Sequence, residues 1–382
     1  MRILIMAGEA SGDAYGAALA RKLREIEPAL ELDLAGLGGA SMEKAGVRLL
    51  YNIADMSSVG FAEALKNVGI MRRVLLRVTN ILDDERPNCI VLIDFPGFNM
   101  RVAEIASRMD IPVVYFFAPT AWAWGKGRAK KIAETVTKVA SVFPFEEKVY
   151  KEAGADVVFV GHPLIDMVDR SLSRDQARSE LGIPPEQAFV GLLPGSRKQE
   201  ITALLPVMVG AAGRLAREVR SLTFGLALAP TIPREEVEDL LGRIPGSRTV
   251  PLRILEGATY KCMAAADALI VASGTATLEA AMFGTPMVIV YKTSTSTWAL
   301  GRLLVKIPHI GLPNILAGEE IVPELLQNEA TVDRISTEVL KFLEEPGYRE
   351  DTRKALLDVA SKLGAPGAIE RTARLILDTA RL

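Results

Sequence analysis

Short runs of consecutive apolar residues alternate with longer stretches of helical periodicity along most of this 382-residue chain. An unbroken apolar run predicts a strand that is buried on both faces, as in a parallel sheet covered by helices. In the first half, the candidate strands are 3–6, 32–35, 89–93, 112–117, 139–143 and 157–160. In the second half, they are 189–193, 222–229, 249–252, 268–271 and 287–291. The pattern predicts an α/β protein made of two doubly wound, Rossmann-like units in tandem.

The polar stretch 169–187, which contains Pro184 and Pro185, marks the expected boundary between the two units. We predict a first domain at residues 1–168, a second at 169–345, and C-terminal helices at 346–382 that cross back to the first domain or to a partner chain. Ligands of open α/β sheets bind beyond the carboxyl ends of the strands. Two such sheets facing each other would form one cleft, so the loops that follow the strands are where we expect the functional residues.

Composition excludes several classes of protein. The chain has 45 Lys and Arg residues against 47 Asp and Glu, a formal net charge of −2, which argues against a nucleic-acid-binding protein that is basic overall. Two cysteines and two histidines are too few and too scattered for a zinc cluster or a disulfide framework, so we expect no metal and no cofactor. No stretch has the length and apolarity of a signal peptide or a membrane span, which favours a cytoplasmic chain.

A carboxylate follows the third candidate strand at Asp94, between Phe95 and Phe98. Apolar surroundings and access to a cleft suit a general base. The alternative role of Asp94 is a helix cap, but Asn99 is the expected cap of a helix over 101–108, which leaves Asp94 for catalysis.

Two further loops of the first half contain candidate binding residues. A glycine-rich turn at 8–13, with Glu9, Ser11 and Asp13, can direct backbone N–H groups at an anion, although Ser11 or Asp13 as the cap of a helix beginning near Ala14 is an equal alternative. Trp122 and Trp124 precede a basic stretch, 126–131, and suit stacking on a sugar beside a phosphate, with core packing as the alternative.

Two loops of the second half combine residue types that bind phosphate. The first follows the strand 189–193 and consists of Gly195, Ser196, Arg197 and Lys198. Its backbone N–H groups and positive charges suit a diphosphate. The alternative is a plain helix cap by Ser196 and Glu200. The second consists of Ser273, Gly274, Thr275, Thr277 and Glu279. It offers N–H and O–H donors to phosphates, and the Glu279 carboxylate could bind ribose hydroxyls. The alternative role of Glu279 is to stabilise the helix dipole. The sequence has no P-loop motif, no nucleophile elbow and no Asp-x-Asp metal clamp.

A basic amphipathic helix is predicted over 64–82. Its arginines, among them Arg72, Arg73 and Arg77, lie opposite an apolar half. This pattern is typical of interfacial membrane binding, although a helix that covers a sheet is the common alternative. The residues expected to face lipid are Val68, Met71, Val74, Leu75 and Val78.

Together these motifs resemble the lipid-A-disaccharide synthase family, inverting glycosyltransferases with two facing Rossmann-like domains (the GT-B fold). The resemblance covers roughly residues 1–330, and its motifs occur in the family's order at 8–13, 94–99, 122–124, 143–146, 161–163, 193–197, 273–279 and 312–314. It implies that UDP-2,3-diacylglucosamine and 2,3-diacylglucosamine 1-phosphate (lipid X) react, without a metal, to give the β(1→6) disaccharide 1-phosphate of lipid A and UDP. Alternatives are another GT-B enzyme that uses a UDP-amino sugar, a UDP-sugar 2-epimerase, and a non-catalytic binding protein.

The resemblance also implies roles for the candidate residues. Asp94 would take the proton of the acceptor 6-hydroxyl, while the two loops of the second half would hold UDP, with Glu279 on the ribose. Gly257 would lie near the uracil and Asn314 in the same cleft. Glu9, Ser11, Asp13, Trp122 and Trp124 would line the acceptor side, and the helix 64–82 would meet the inner-membrane surface. A homodimer that exchanges C-terminal segments is left open.

Overall fold

The computed structural model describes residues 1–53, 64–119, 126–294, 298 and 308–382, without the side chains of 64–68 and 126. Its contacts divide the chain into two compact units. Unit 1 comprises Met1–Met167 and Leu363–Leu382, and unit 2 comprises Val168–Lys362. The C-terminal segment 346–382 is therefore divided between the two units, after Lys362.

Unit 1 contains a seven-stranded parallel sheet in the order β3-β2-β1-β4-β5-β6-β7. Its strands are β1 (Arg2–Ala7), β2 (Asp33–Gly38), β3 (Arg48–Asn52), β4 (Cys89–Ile93), β5 (Val113–Phe116), β6 (Lys138–Ser141) and β7 (Val157–Phe159). Its described helices are α1 (Ala10–Ile26), α2 (Ala40–Lys44), α3 (Ala64–Glu85), α4 (Pro96–Arg108), α5 (Lys126–Thr135), α6 (Pro144–Glu152), α7 (Leu164–Met167) and, at the C-terminus, α16 (Ala368–Ala380).

Unit 2 contains a six-stranded parallel sheet in the order β10-β9-β8-β11-β12-β13. Its strands are β8 (Ala188–Leu193), β9 (Leu222–Leu228), β10 (Leu252–Glu256), β11 (Ala268–Ala272), β12 (Met287–Tyr291) and β13 (Glu324–Leu326). Its described helices are α8 (Arg174–Leu181), α9 (Lys198–Glu218), α10 (Arg234–Arg243), α11 (Thr259–Ala265), α12 (Thr275–Phe283), α13 (Leu312–Ala317), α14 (Val332–Glu344) and α15 (Pro346–Ser361). The prediction of two parallel α/β units is confirmed.

The differences from the predicted strands lie at sheet edges. The sequence pattern does not indicate β3 or β13, and it places β10 at 249–252, where the structure has a 3-10 turn at Ser247–Thr249. β10 itself contains the exposed Arg253 and Glu256. An edge strand has one open side and tolerates such residues, so it lacks the unbroken apolar run by which buried strands are recognised.

The C-terminal helix α16 is an integral part of unit 1. Its apolar face is buried, with Ile369, Ala373 and Ile376 at most 3% exposed. The carboxylate of Asp166 accepts hydrogen bonds from the N–H groups of Gly367 (2.6 Å) and Ile369 (2.8 Å). A carboxylate in this position satisfies free N–H groups at the helix start and favours the helix dipole.

Helix α3 covers the sheet of unit 1 with the half that was expected to bind lipid. Val74 and Val78 are 4% and 1% exposed and belong to the same apolar cluster as the strand residues Leu92 and Tyr115. Met71 and Leu75 pack partly buried against that cluster, and the side chain of Val68 lies outside the described residues. The lipid-facing assignment is therefore wrong for Val74 and Val78.

The opposite half of α3 is the accessible one. It presents the exposed Arg72, Arg73 and Arg77 beside Leu76, which is 56% exposed. None of the helices in the described ranges is long and apolar enough to cross a membrane.

His162 is buried behind β7. It is 2% exposed, and the rings of Phe117, Phe143 and Tyr15 lie 5.2, 5.4 and 6.2 Å from its own. Its Nδ1 accepts a hydrogen bond from the N–H of Leu164 at 3.2 Å. Burial lowers the pKa of His162 to about 3, so the imidazole is neutral in the folded chain at physiological pH.

We predict that Val78→Ser lowers the free energy of unfolding by about 2–3 kcal/mol, because a buried side chain is lost from the core. Leu76→Ser on the exposed half is the matched control and should change it by less than about 0.5 kcal/mol. Urea unfolding of both variants measures the difference. Equal small effects would contradict the packing of α3 on the sheet.

We also predict that His162 contributes to acid sensitivity. The unfolded chain protonates this imidazole near pH 6.5 but the folded chain only near pH 3, so stability is lost as the pH falls between these values. In that range His162→Gln should flatten the pH dependence of the free energy of unfolding by up to about 1.4 kcal/mol per pH unit. Urea unfolding at a series of pH values measures the slope, and an unchanged slope would disprove the assignment.

Candidate active site

The loops after β1 and β4 begin side by side at the carboxyl edge of the sheet of unit 1, because Ala7 pairs with Ile93. Asp94 and Phe95 both adopt left-handed backbone conformations, with φ of 48° and 49°, before α4 begins at Pro96. This conformation costs a non-glycine residue about 1–2 kcal/mol. Residues held in it by their surroundings cluster at functional sites.

Asn99 and Tyr115 hold the strained turn. The Nδ2 of Asn99 donates to the carbonyl oxygens of Asp94 (2.8 Å), Met6 (3.2 Å) and Ile93 (3.3 Å), and the Tyr115 hydroxyl donates to the Asp94 carbonyl (2.9 Å). The predicted cap role of Asn99 is wrong, because α4 begins at Pro96 and Asn99 lies fully buried within its first turn. These bonds fix the backbone of Asp94, a half-buried residue that directly follows the strand.

Gly8 supplies the space for this turn. A Cβ atom at Gly8 would lie 2.1–2.6 Å from atoms of the Phe95 side chain, closer than any real contact. Only glycine therefore allows the Phe95 side chain to lie against the loop after β1. The two neighbouring loops depend on each other for their shape.

The acceptor-side candidates on α1 separate into two kinds. Asp13 is 6% exposed, and its carboxylate accepts the N–H groups of Gly39 (2.7 Å), Ser41 (2.9 Å) and Met42 (3.0 Å). Asp13 thus stabilises the start of α2, and its expected position on the acceptor side is wrong. Glu9 and Ser11 lie half-buried where α1 begins, at Ala10 rather than near residue 14. Trp122 and Trp124 lie outside the described residues.

In unit 2, the loops after β8 and β11 are neighbours, because Leu193 pairs with Val271. The first loop is closed by Glu200, whose Oε2 accepts the N–H groups of Ser196 (3.1 Å) and Arg197 (3.3 Å). The side chain of Arg197 is 57% exposed and contacts Glu200, and that of Lys198 is 75% exposed and contacts Glu236. The N–H groups of this loop are therefore capped by Glu200, as the alternative prediction had it. The cations Arg197 and Lys198 nevertheless remain exposed on the same loop.

The second loop of unit 2 offers fewer hydroxyl donors than its sequence indicates. Thr277 is fully buried and donates to the carbonyl of Gly274 (2.7 Å), and the Ser273 hydroxyl donates to the carbonyl of Ile310 (3.3 Å). The expected outward hydroxyl of Thr277 is therefore wrong. Thr275, the half-buried first residue of α12, lies at the helix N-terminus where N–H groups and the dipole favour an anion.

Glu279 has a partner that the sequence analysis missed. The hydroxyl of Tyr260, on α11, donates to Oε1 of Glu279 at 3.2 Å. Burial raises the pKa of Glu279, and the hydrogen bond from Tyr260 opposes this effect. The only signal for this contact in the sequence is that Tyr260 lies three residues after Gly257. In the structure, Gly257 takes a left-handed conformation (φ 62°) with open space around its Cβ position.

Asn314 is a structural residue of unit 2. It is fully buried; its Nδ2 donates to the Val322 carbonyl (2.8 Å) and to Glu324 (2.7 Å). Its Oδ1 accepts the N–H groups of Ile321 (2.8 Å) and Val322 (3.1 Å). These four bonds use its hydrogen-bonding capacity, so the expectation that Asn314 faces a ligand cleft is wrong. In the described part of the chain, no group of three or more His, Cys, Asp or Glu is placed to hold a metal ion.

We predict that Gly8→Ala lowers the free energy of unfolding by about 1–3 kcal/mol, because the added methyl group overpacks against Phe95. Gly97→Ala is the matched control: apart from its chain neighbours and the backbone of its own helix, no atom lies within 4 Å of its Cβ position. An alanine there should leave stability unchanged or raise it by less than about 1 kcal/mol. Urea unfolding compares the two, and a harmless Gly8→Ala would contradict the close approach of the loops.

A family model and individual relatives of this chain point to the same family. Residues 3–374 match the family model for lipid-A-disaccharide synthetase. The lipid-A-disaccharide synthase of Geobacter sulfurreducens is 41% identical over 377 residues, which cover 99% of this chain and 97% of the relative. That of Syntrophus aciditrophicus is 42% identical over 377 residues, which cover 98% of this chain and 97% of the relative.

Solved structures share the fold at low sequence identity. The UDP-GlcNAc 2-epimerase of Neisseria meningitidis, bound to UDP-GlcNAc, has a TM-score of 0.66 at 14% identity and covers 99% of this chain and 100% of its own. Acinetobacter baumannii MurG has a TM-score of 0.58 at 12% identity and covers 99% of each chain. The full-length matches confirm the resemblance seen in the motifs, and this chain belongs to the lipid-A-disaccharide synthase family of glycosyltransferases.

Proposed function

We propose that this chain transfers the 2,3-diacylglucosaminyl group of UDP-2,3-diacylglucosamine to the 6-hydroxyl of lipid X, giving the β(1→6) lipid A disaccharide 1-phosphate and UDP. The observation that carries the proposal is the family match over residues 3–374. The geometry of each unit supports it. Unit 1 presents Asp94 at a strand end, in a turn held by hydrogen bonds to its backbone, and unit 2 presents exposed cations and a helix N-terminus at the ends of two neighbouring strands.

Asp94 is the proposed general base. Its carboxylate takes the proton of the acceptor hydroxyl while the oxygen attacks the anomeric carbon from the side opposite the diphosphate, which inverts the configuration. The bond between that carbon and the diphosphate oxygen breaks, and UDP leaves with the electron pair. The left-handed turn fixes the backbone of Asp94, which limits the positions that its carboxylate can take and reduces the entropy lost in reaching the reactive geometry.

The leaving diphosphate needs positive charge, which unit 2 supplies. Arg197 and Lys198 are exposed cations beside Gly195 and Ser196, and the start of α12 at Gly274 and Thr275 adds N–H donors near Ser273. Glu279 would accept hydrogen bonds from the ribose hydroxyls, with Tyr260 orienting its carboxylate. Gly257 would lie near the uracil.

The membrane contact is also a proposal, and the structure changes the residues that we assign to it. The apolar half of α3 is used in the core, so the exposed half with Arg72, Arg73, Leu76 and Arg77 is the surface that fits anionic headgroups. The chain would act at the cytoplasmic face of the inner membrane, where both acylated substrates reside. Exchange of C-terminal segments between two copies is not needed to cover unit 1, because α16 of the same chain covers it.

We predict that Asp94→Asn lowers kcat by about 10²–10⁴-fold, the usual contribution of a general base, without changing the affinity for UDP. The measurement is mass spectrometry of the products from UDP-2,3-diacylglucosamine and lipid X with EDTA present, together with calorimetry of UDP binding.

Asp110→Asn is the matched control, because Asp110 is exposed and also left-handed, with φ of 55°. Its kcat should equal that of the unaltered chain. Near-full activity of Asp94→Asn would remove Asp94 from the mechanism. Release of a free 2-epimerised sugar instead of the disaccharide would replace the proposed function by an epimerase.

A further inference from the structure

The loop formed by Gly195, Ser196 and Arg197, which we call the Gly195 cradle, already holds an anion. The Oε2 of Glu200 accepts both the Ser196 and Arg197 N–H groups, at 3.1 and 3.3 Å. Its Oε1 lies 3.2 Å from Nη1 of Arg197. Two N–H groups and one guanidinium thus converge on one carboxylate.

The shape of the cradle matches this carboxylate. Gly195 adopts φ of 114°, and a Cβ atom there would lie 2.2 Å from Oε2 of Glu200. The carboxylate therefore occupies the space that the missing side chain leaves. Any other anion that used the same N–H groups would need that space as well.

The cradle has a support that does not depend on Glu200. The hydroxyl of Thr231 donates to the carbonyl of Ser196 at 2.7 Å. This bond ties the loop to the segment after β9, so the loop can keep its shape when the Glu200 side chain rotates away. Glu200 lies in the first turn of α9 and its side chain is 23% exposed, which leaves room for rotation.

We propose that Glu200 is an internal competitor of the diphosphate, which fills the Gly195 cradle until a phosphate group displaces it. One N–H group cannot bond fully to a carboxylate and a phosphate together, and the two anions repel each other. The charge of Glu200 therefore lowers the affinity for UDP and speeds the release of UDP as a product. This inference rests on the proposed function, because it takes the cradle as the diphosphate site.

The test is calorimetry of the full chain with UDP, inorganic pyrophosphate and uridine. Glu200→Gln keeps an acceptor for the N–H groups but removes the charge, so UDP and pyrophosphate should bind about 10–150-fold more tightly, as expected from one charged hydrogen bond. Uridine, which has no phosphate, should bind equally to both forms. Glu200→Asp, which is one methylene shorter and is expected to lose the short contacts with the two N–H groups, should also tighten UDP binding.

Glu218→Gln is the matched control, because it removes the same charge from the last residue of the same helix. It should change UDP affinity by less than about twofold, since exposed charges at that distance are screened. Arg197→Ala tests the proposed function separately and should weaken UDP binding by about 10–150-fold.

The outcomes separate the two ideas. If Arg197→Ala weakens UDP binding while Glu200→Gln and Glu200→Asp leave it unchanged or weaker, Glu200 is only a helix cap and the inference fails. If Arg197→Ala leaves UDP affinity unchanged, the loop is not the diphosphate site and the proposed function of the loop fails. If Glu200→Gln tightens uridine binding as much as UDP binding, competition for the phosphate position is disproved.

Discussion

The parallel register at the centre of each sheet is the constraint on which the candidate site depends. Ala7 pairs with Ile93 in unit 1, and Leu193 pairs with Val271 in unit 2. Ala7, Ile93 and Leu193 are the last residues of their strands and Val271 is the residue before the last, so in each unit the loops that follow start side by side. A shift of one residue would exchange the side chains of the two buried faces, such as Val190 and Leu192 on one face and Phe189 and Leu193 on the other, so the packing of both clusters holds this register.

The catalytic candidate is held by buried polar groups of its neighbours. The left-handed conformations of Asp94 and Phe95 are unfavourable in isolation. Hydrogen bonds from Asn99 and Tyr115 to the Asp94 carbonyl compensate, and Gly8 leaves space for the Phe95 side chain. The backbone position of Asp94 is thus set by α4, β5 and the loop after β1, and not by its own loop alone.

Polar residues in the motif loops serve two different purposes. Asp13, Thr277 and Asn314 lie in the motifs of the family but bond to the backbone of their own unit. Arg197 and Glu279 also lie in motifs of the family, Lys198 directly follows one of them, and all three have partly accessible side chains. A buried polar group must be hydrogen-bonded. The buried polar residues therefore hold the loops in shape by bonding to the backbone, and this positions the accessible polar residues of the same unit.

The sequence by itself determined the α/β class, the two parallel sheets, most strands and the family, because continuous apolar runs and glycine-rich strand-to-helix turns are local patterns. It also predicted Asp94 as a general base and two loops of the second half as phosphate-binding, and these roles stay predictions. It did not determine which half of α3 is buried, since an amphipathic period is the same for a membrane and a sheet. Nor did it distinguish Asp13 and Asn314 from ligand-binding residues, or find Tyr260, because hydrogen-bond partners distant along the chain meet only after folding. Those distinctions belong to the tertiary structure, which alone decides whether a polar side chain bonds to its own backbone or stays accessible.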